Sequence, residues 1–111
     1  MLLTDVKAAL ITVLPTKTFH AITPTGTVQP YIVWNTDGSG DSLHGDGRML
    51  AQVVEGTIDL FDAKEYSTIF GQVQTALNDA GIPFRLNSIQ YEVDAKLFHY
   101  EWVFGIETEV V

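Results

Sequence analysis

Leu50-Ala-Gln-Val-Val-Glu-Gly-Thr-Ile-Asp-Leu-Phe61, followed by Asp62-Ala-Lys-Glu65, holds the change of period that decides the fold. In the first segment Leu50, Val54, Ile58 and Leu60 point one way. Glu55, Thr57 and Asp59 point the other, the two-residue period of a strand with one apolar and one polar face. Gly56 interrupts the apolar face and marks a bulge or a close packing contact. Beyond Phe61 the period changes. Asp62 and Glu65 have the spacing of a capping box, and Tyr66, Ile69, Phe70, Val73, Leu77 and Ala80 form one helical stripe. Gly81 suits the residue just past a helix end, with Pro83 beyond it. A helix capped at Asp62 and running to Ala80 is expected.

Downstream, Ile89, Tyr91 and Val93 alternate with polar residues, Asp94-Ala-Lys96 turns the chain, and Phe98, Tyr100, Trp102, Phe104 and Ile106 make an apolar strand face. Upstream, Thr4 to Leu14 reads as a helix. Thr4 serves as N-cap, Asp5 is well placed against the helix dipole, and Val6, Ala9, Leu10, Val13 and Leu14 form the stripe. Tyr31-Ile-Val-Trp-Asn35 reads as a strand, and Phe19 to Thr23 as a short additional one. Thr36 to Met49 carries four of the nine glycines together with Asp37, Asp41 and Asp46, and reads as a long Gly/Asp-rich loop. The expected fold is a single α+β domain over residues 1–111. It has a mainly antiparallel sheet, two helices on one face and the order α-β-β-α-β-β.

Composition narrows the function. Apolar residues at 46% and charged residues at 18% exclude a disordered chain. With no cysteine, disulfides, thiolate catalysis and cysteine metal knuckles are impossible. The net charge is −8, and the six bases are scattered singly, so tight electrostatic binding of nucleic acid by one copy is not expected. No run is long and apolar enough to span a membrane, and no targeting segment is apparent.

Catalytic constellations are also lacking. Gly38-Ser-Gly40 lacks the spacing of a nucleophile elbow. Gly45-Asp-Gly-Arg48 would set an acid beside a phosphate. Read from Asp37, the loop lacks the glycine and the bidentate glutamate of a calcium loop. His44 with Asp41 and Asp46 lacks rigid support for zinc, and His20 and His99 have no second histidine at ligand spacing. Glu101 and Glu107 share a strand face but lie roughly 20 Å apart at strand rise, too far to act on one bond. The reading is a non-enzymatic chain with no catalytic, cofactor or metal residues. The aromatic residues are expected to be core.

The polar face (Glu55, Thr57, Asp59, Glu92, Glu101, Glu107) and the long strands point to exposed edges that recruit partners. Glu55, Asp59, Glu101 and Glu107 are the candidate interface residues on the strands. Asp37, Asp41, His44, Asp46 and Arg48 are the candidates on a loop that orders against a neighbour.

Taken together, Pro30-Tyr-Ile-Val-Trp34, the acidic loop, Gln52 to Phe61, the helix from Glu65 to Gly81 with Ile82-Pro-Phe84, and Phe98-His-Tyr-Glu-Trp-Val-Phe104 carry a resemblance. Over nearly its whole length the chain resembles the small tail-completion or tail-terminator proteins of long-tailed bacteriophages and prophages. The resemblance implies a structural virion protein that assembles as a ring, commonly a hexamer, and caps the tail tube at the head–tail junction. It implies tail-tube and head-connector proteins as partners, and DNA that passes through without specific binding. It also places the protein in the tail or neck of the virion, and in the host bacterial cytoplasm during assembly. The alternative is a small cytosolic oligomeric binding or regulatory module with a ligand cleft between sheet and loop. The mass of the assembly separates the two.

Overall fold

The alternation around Ile58 becomes one of two central strands. The computed structural model describes the backbone of residues 1–45 and 48–109, and the side chains of residues 1–38 and 52–108. The elements in chain order are α1 (Leu3–Ile11), β1 (Thr18–His20), β2 (Tyr31–Gly45), β3 (Arg48–Asp62), α2 (Thr68–Asp79), β4 (Phe84–Glu92) and β5 (Leu97–Glu109). They form a single α+β domain whose five-stranded sheet has the spatial order β1-β2-β3-β5-β4. Only the β1–β2 pairing is parallel. Strands of 15 residues account for a long axis of 52 Å, because each residue advances a strand by about 3.3 Å.

Both helices pack on one face. Val6, Ala9 and Leu10 of α1 and Val73 and Leu77 of α2 meet Ile32, Trp34, Ile58, Leu60, Tyr100, Trp102, Phe104 and Ile106 of the sheet. The strand residues are all even-numbered, as the two-residue period requires. The Trp102 indole N–H, buried in this layer, donates to Gln74 Oε1 at 3.1 Å, and Phe70 stacks on the indole. Gly56 faces the same layer. A Cβ there would strike the Asn35 carbonyl oxygen and come within 2.6 Å of the Phe104 ring, so the expected close contact is real.

Four expectations need correction. The Gly/Asp-rich loop is strand. β2 continues through Asp37, Asp41 and His44 to Gly45, and β3 begins at Arg48; Asp46 lies outside the described residues. Pairing across the chain overrides local composition here, because β3 is flanked by β2 on one side and by β5 on the other as far as Ala51. Gly38, Gly40 and Gly45, three of the glycines that suggested a loop, lie in or beside the register shifts of that ladder. Gly38, at φ +150°, follows the first shift, a conformation open to glycine.

The second correction concerns α2, which starts at Thr68, not Asp62. The β3–β5 ladder runs to the pair Asp62–Phe98, so Asp62 still belongs to the sheet. Its carboxylate accepts from the Lys64 N–H at 3.1 Å and the Ser67 hydroxyl at 2.6 Å, bracing the turn. Ser67 is the N-cap and accepts from the Ile69 N–H. Tyr66 lies in that turn at φ +57° and is 89% exposed, so it is not part of the helical stripe. The far end is as expected. Gly81 at φ +71° donates to the Asn78 carbonyl while the Ile82 N–H donates to that of Leu77, a Schellman closure.

Third, α1 is capped at Leu2 and not at Thr4, with the Leu2 N–H donating to the Asp5 carboxylate at 2.7 Å. The helix ends at Ile11, though Val13 and Leu14 still pack on the core. Fourth, Ile89, Tyr91 and Val93 do not point into a core. Ile89 and Tyr91 share the side of Tyr100 and Phe98 yet are 53% and 50% exposed, because β4 is an edge strand, and Val93, 73% exposed, lies in the turn after it.

Candidate functional site

The face of the sheet away from the helices is where the sequence-predicted strand residues gather. Register sets them in rows. Tyr31, Phe61, His99 and Gln90 form one row across β2, β3, β5 and β4; Val33, Asp59, Glu101 and Ser88 form the next. The first row is aromatic. Tyr31 stacks on Phe61 at 4.9 Å between centroids, and Phe61 stacks on the His99 ring at 4.4 Å. This face is therefore less polar than expected, and Tyr31 and Phe61 belong to it, not to the helix-covered core.

His99 ties the rows together. Its Nε2 lies 2.7 Å from Asp59 Oδ1 and its Nδ1 lies 3.0 Å from Glu92 Oε1. The hydrogen bond with Asp59 above all raises the pKa of the imidazole over its ordinary value. Partial burial opposes that shift, and the charges of Asp59 and Glu92 add to it. The Tyr31 hydroxyl is also pushed up, first by burial and then by the negative charge of Glu92. Glu101 stands directly across from Asp59 and accepts from Asn87 Nδ2 at 2.5 Å, while Arg85 donates to Asn87 Oδ1 at 3.1 Å.

The strand candidates thus divide. Asp59 and Glu101 come together at the centre of the face. Glu55 pairs with Gly105 and Glu107 with Val53 farther along the same face, both exposed. Asp37 is exposed beside the bulge at Gly38; Asp41 and His44 lie on β2 and Arg48 on β3, opposite Gly45. Sequence reasoning missed the role of His99, setting it aside for want of a second histidine. Its partners are carboxylates, and Asp59 is 40 residues away. The signal was present only as an odd-numbered run on β5, His99 and Glu101, facing an odd-numbered acid on β3.

Two edges of the sheet carry free strand backbone. Among the described residues, β1 covers β2 only from Ile32 to Trp34, which leaves the outer edge of β2 open beyond that point. Nothing described pairs with the outer edge of β4. Among the described residues no loop roofs the cleft expected between sheet and loop, since residues 36–45 and 48–49 extend the sheet. A surface groove runs between the helices past Ala8, Thr12, Ala76 and Asp79, and brings no nucleophile and base together among the described residues.

The model of the tail completion protein gp17 family matches residues 2–108. Among solved structures, a chain of the virion of a native gene transfer agent particle is similar, with a TM-score of 0.66 at 14% identity. The match covers 96% of this chain and 90% of that one, a likeness of fold. No curated protein sequence matches. A family model that spans all but the ends of the chain, on a fold shared with a virion protein, is decisive: the chain belongs to the tail completion protein gp17 family.

Proposed function

We propose that this tail completion protein closes the end of the tail tube as a homo-oligomeric ring, hexameric in the reading favoured here, and joins it to the head. The observation that carries the reading is the family match over residues 2–108. The family is structural, and the chain is not an enzyme. Its proposed partners are tail-tube and head-connector proteins, and its proposed place is the tail or neck of the virion after assembly in the bacterial cytoplasm.

The sheet supports a ring in a specific way. A closed ring needs two different, complementary surfaces on each copy. The outer edge of β4, with Ile89 and Tyr91 exposed on the strand and Val93 in the turn after it, is one. The β2 edge of the long hairpin is the other, and it holds Asp37, Asp41, His44 and Arg48 on or beside it. Adding one strand edge to the other satisfies backbone groups that an isolated subunit leaves to water. The exposed carboxylates Glu55 and Glu107, with Asp59 and Glu101, lie on the open face of the interior strands β3 and β5 and are proposed to face a neighbouring copy beside that edge contact, not within it. A chain of net charge −8 multiplied round a ring repels DNA, which suits a bore through which DNA slides.

Complementation tests this reading. Particles lacking the protein should yield tails without joined heads, and the full chain should restore joining. A chain whose residues 38–51 are replaced by a short turn should fold and fail to restore it. Restoration by the shortened chain would remove the hairpin from the interface.

A further inference from the structure

We propose that Asp59, His99 and Glu101 form a binding site for a divalent transition-metal cation of the zinc class. The three residues each offer a ligand atom, and these atoms lie within 4.8 Å of one another. A cation about 2.1 Å from each ligand needs donors roughly 3.4 Å apart, so its entry opens the 2.7 Å contact between His99 Nε2 and Asp59 Oδ1 and draws Glu101 inward.

Four observations point to a cation. Asp59 and Glu101 are direct cross-strand partners, and like charges in that position repel. With Glu92 they make three carboxylates around one imidazole, and the only ion pairs among the described residues are those of His99. Arg85 reaches Asn87 and not the carboxylates. A protonated His99 therefore leaves two negative charges uncompensated, whereas a dication on the neutral imidazole leaves one.

The surroundings are those of a metal ligand set. Glu92 Oε1 lies 3.0 Å from Nδ1, so in the neutral tautomer with its proton on Nδ1 that carboxylate accepts it and Nε2 keeps a lone pair for a cation. Phe61 stacks on the imidazole and fixes its plane, and Asn87 holds Glu101. An imidazole with two carboxylates suits zinc and its neighbours. Magnesium prefers an all-oxygen shell. The remaining coordination positions fall on the open side of the sheet and take water. The inference concerns the single subunit and stands or falls apart from the ring.

Calorimetric titration of the full chain with zinc chloride alone, at neutral pH, is the test. We expect saturable uptake of one zinc per chain and no comparable uptake of magnesium. Uptake should be lost in His99→Gln and in Glu101→Gln. The second change leaves the buried layer untouched and keeps a partner for Asn87. Glu92→Gln, a change to a positioning residue, should weaken binding about 10–100-fold without abolishing it. Cobalt in place of zinc should give visible absorption bands that vanish in His99→Gln. The proposal is overturned by any of three results: no saturable uptake, magnesium bound as well as zinc, or zinc uptake unchanged in a Glu101→Gln chain of unaltered circular dichroism.

Discussion

On the helix-covered face Trp102, Phe104 and Ile106 lose almost all contact with water, while their neighbours Glu101, Val103 and Gly105 on the other face stay partly exposed. One strand, β5, carries both sets, one residue out of step. The covered face is held by apolar burial and close fit. The open face is held by stacking along Tyr31, Phe61 and His99 and by carboxylates gathered round one imidazole. Apolar burial makes the first face the source of stability, the second is where binding is proposed, and the two faces should respond differently to substitution.

The largest contrast should come from neighbouring positions on β5. Phe104→Ala removes a fully buried ring and should cost about 3–5 kcal/mol in a denaturant melt. Val103→Ala, on the open face, should cost about 1 kcal/mol or less. Equal losses would mean that both faces are core. Gly56→Ala sharpens the same point from the backbone. Its methyl group must displace the Asn35 carbonyl or the Phe104 ring, and a loss of about 1–3 kcal/mol is expected from overpacking. A neutral effect in the melt would show that β2 and β3 separate easily there.

The open face should respond to pH where the covered face does not. His99 has a raised pKa in the folded chain, so its contribution to stability is complete below the ordinary histidine value of about 6.5. It fades as pH rises through the higher folded value. In the presence of a chelator, the stability difference between the wild-type chain and His99→Gln should shrink across that window, as read from paired denaturant melts. A difference that grows with pH would contradict the assigned hydrogen bonds.

Much of the covered face was legible in the sequence because periodicity reports burial directly. The even-numbered run from Phe98 to Ile106 and the stripe Ile69, Phe70, Val73, Leu77 needed no knowledge of partners. Gly56 was legible as a contact for the same reason. The hairpin was not. Four glycines and three acids between Thr36 and Met49 argue for a loop locally, and only pairing with β3 makes strand of those up to Gly45. The open-face cluster was hidden by register. Whether Asp59 meets Glu101 or a residue two places along β5 depends on an alignment of strands that no local pattern fixes. Tyr66 and Asp62 misled for a smaller reason. A capping pattern is satisfied equally well by a braced turn, and Ser67 supplies the true cap.

Ring closure through the strand edges is the central claim, and native mass spectrometry of the full chain beside an Ile89→Asp, Val93→Asp double variant tests it most directly. Both side chains are exposed in the single subunit, so the variant should melt within about 2 kcal/mol of the wild-type chain and stay folded. The account predicts a closed assembly of about six copies for the wild-type chain, the number set by the hexamer proposed above, and single subunits for the variant. A wild-type chain that stays monomeric at all concentrations, or a variant that assembles as the wild type does, would contradict it.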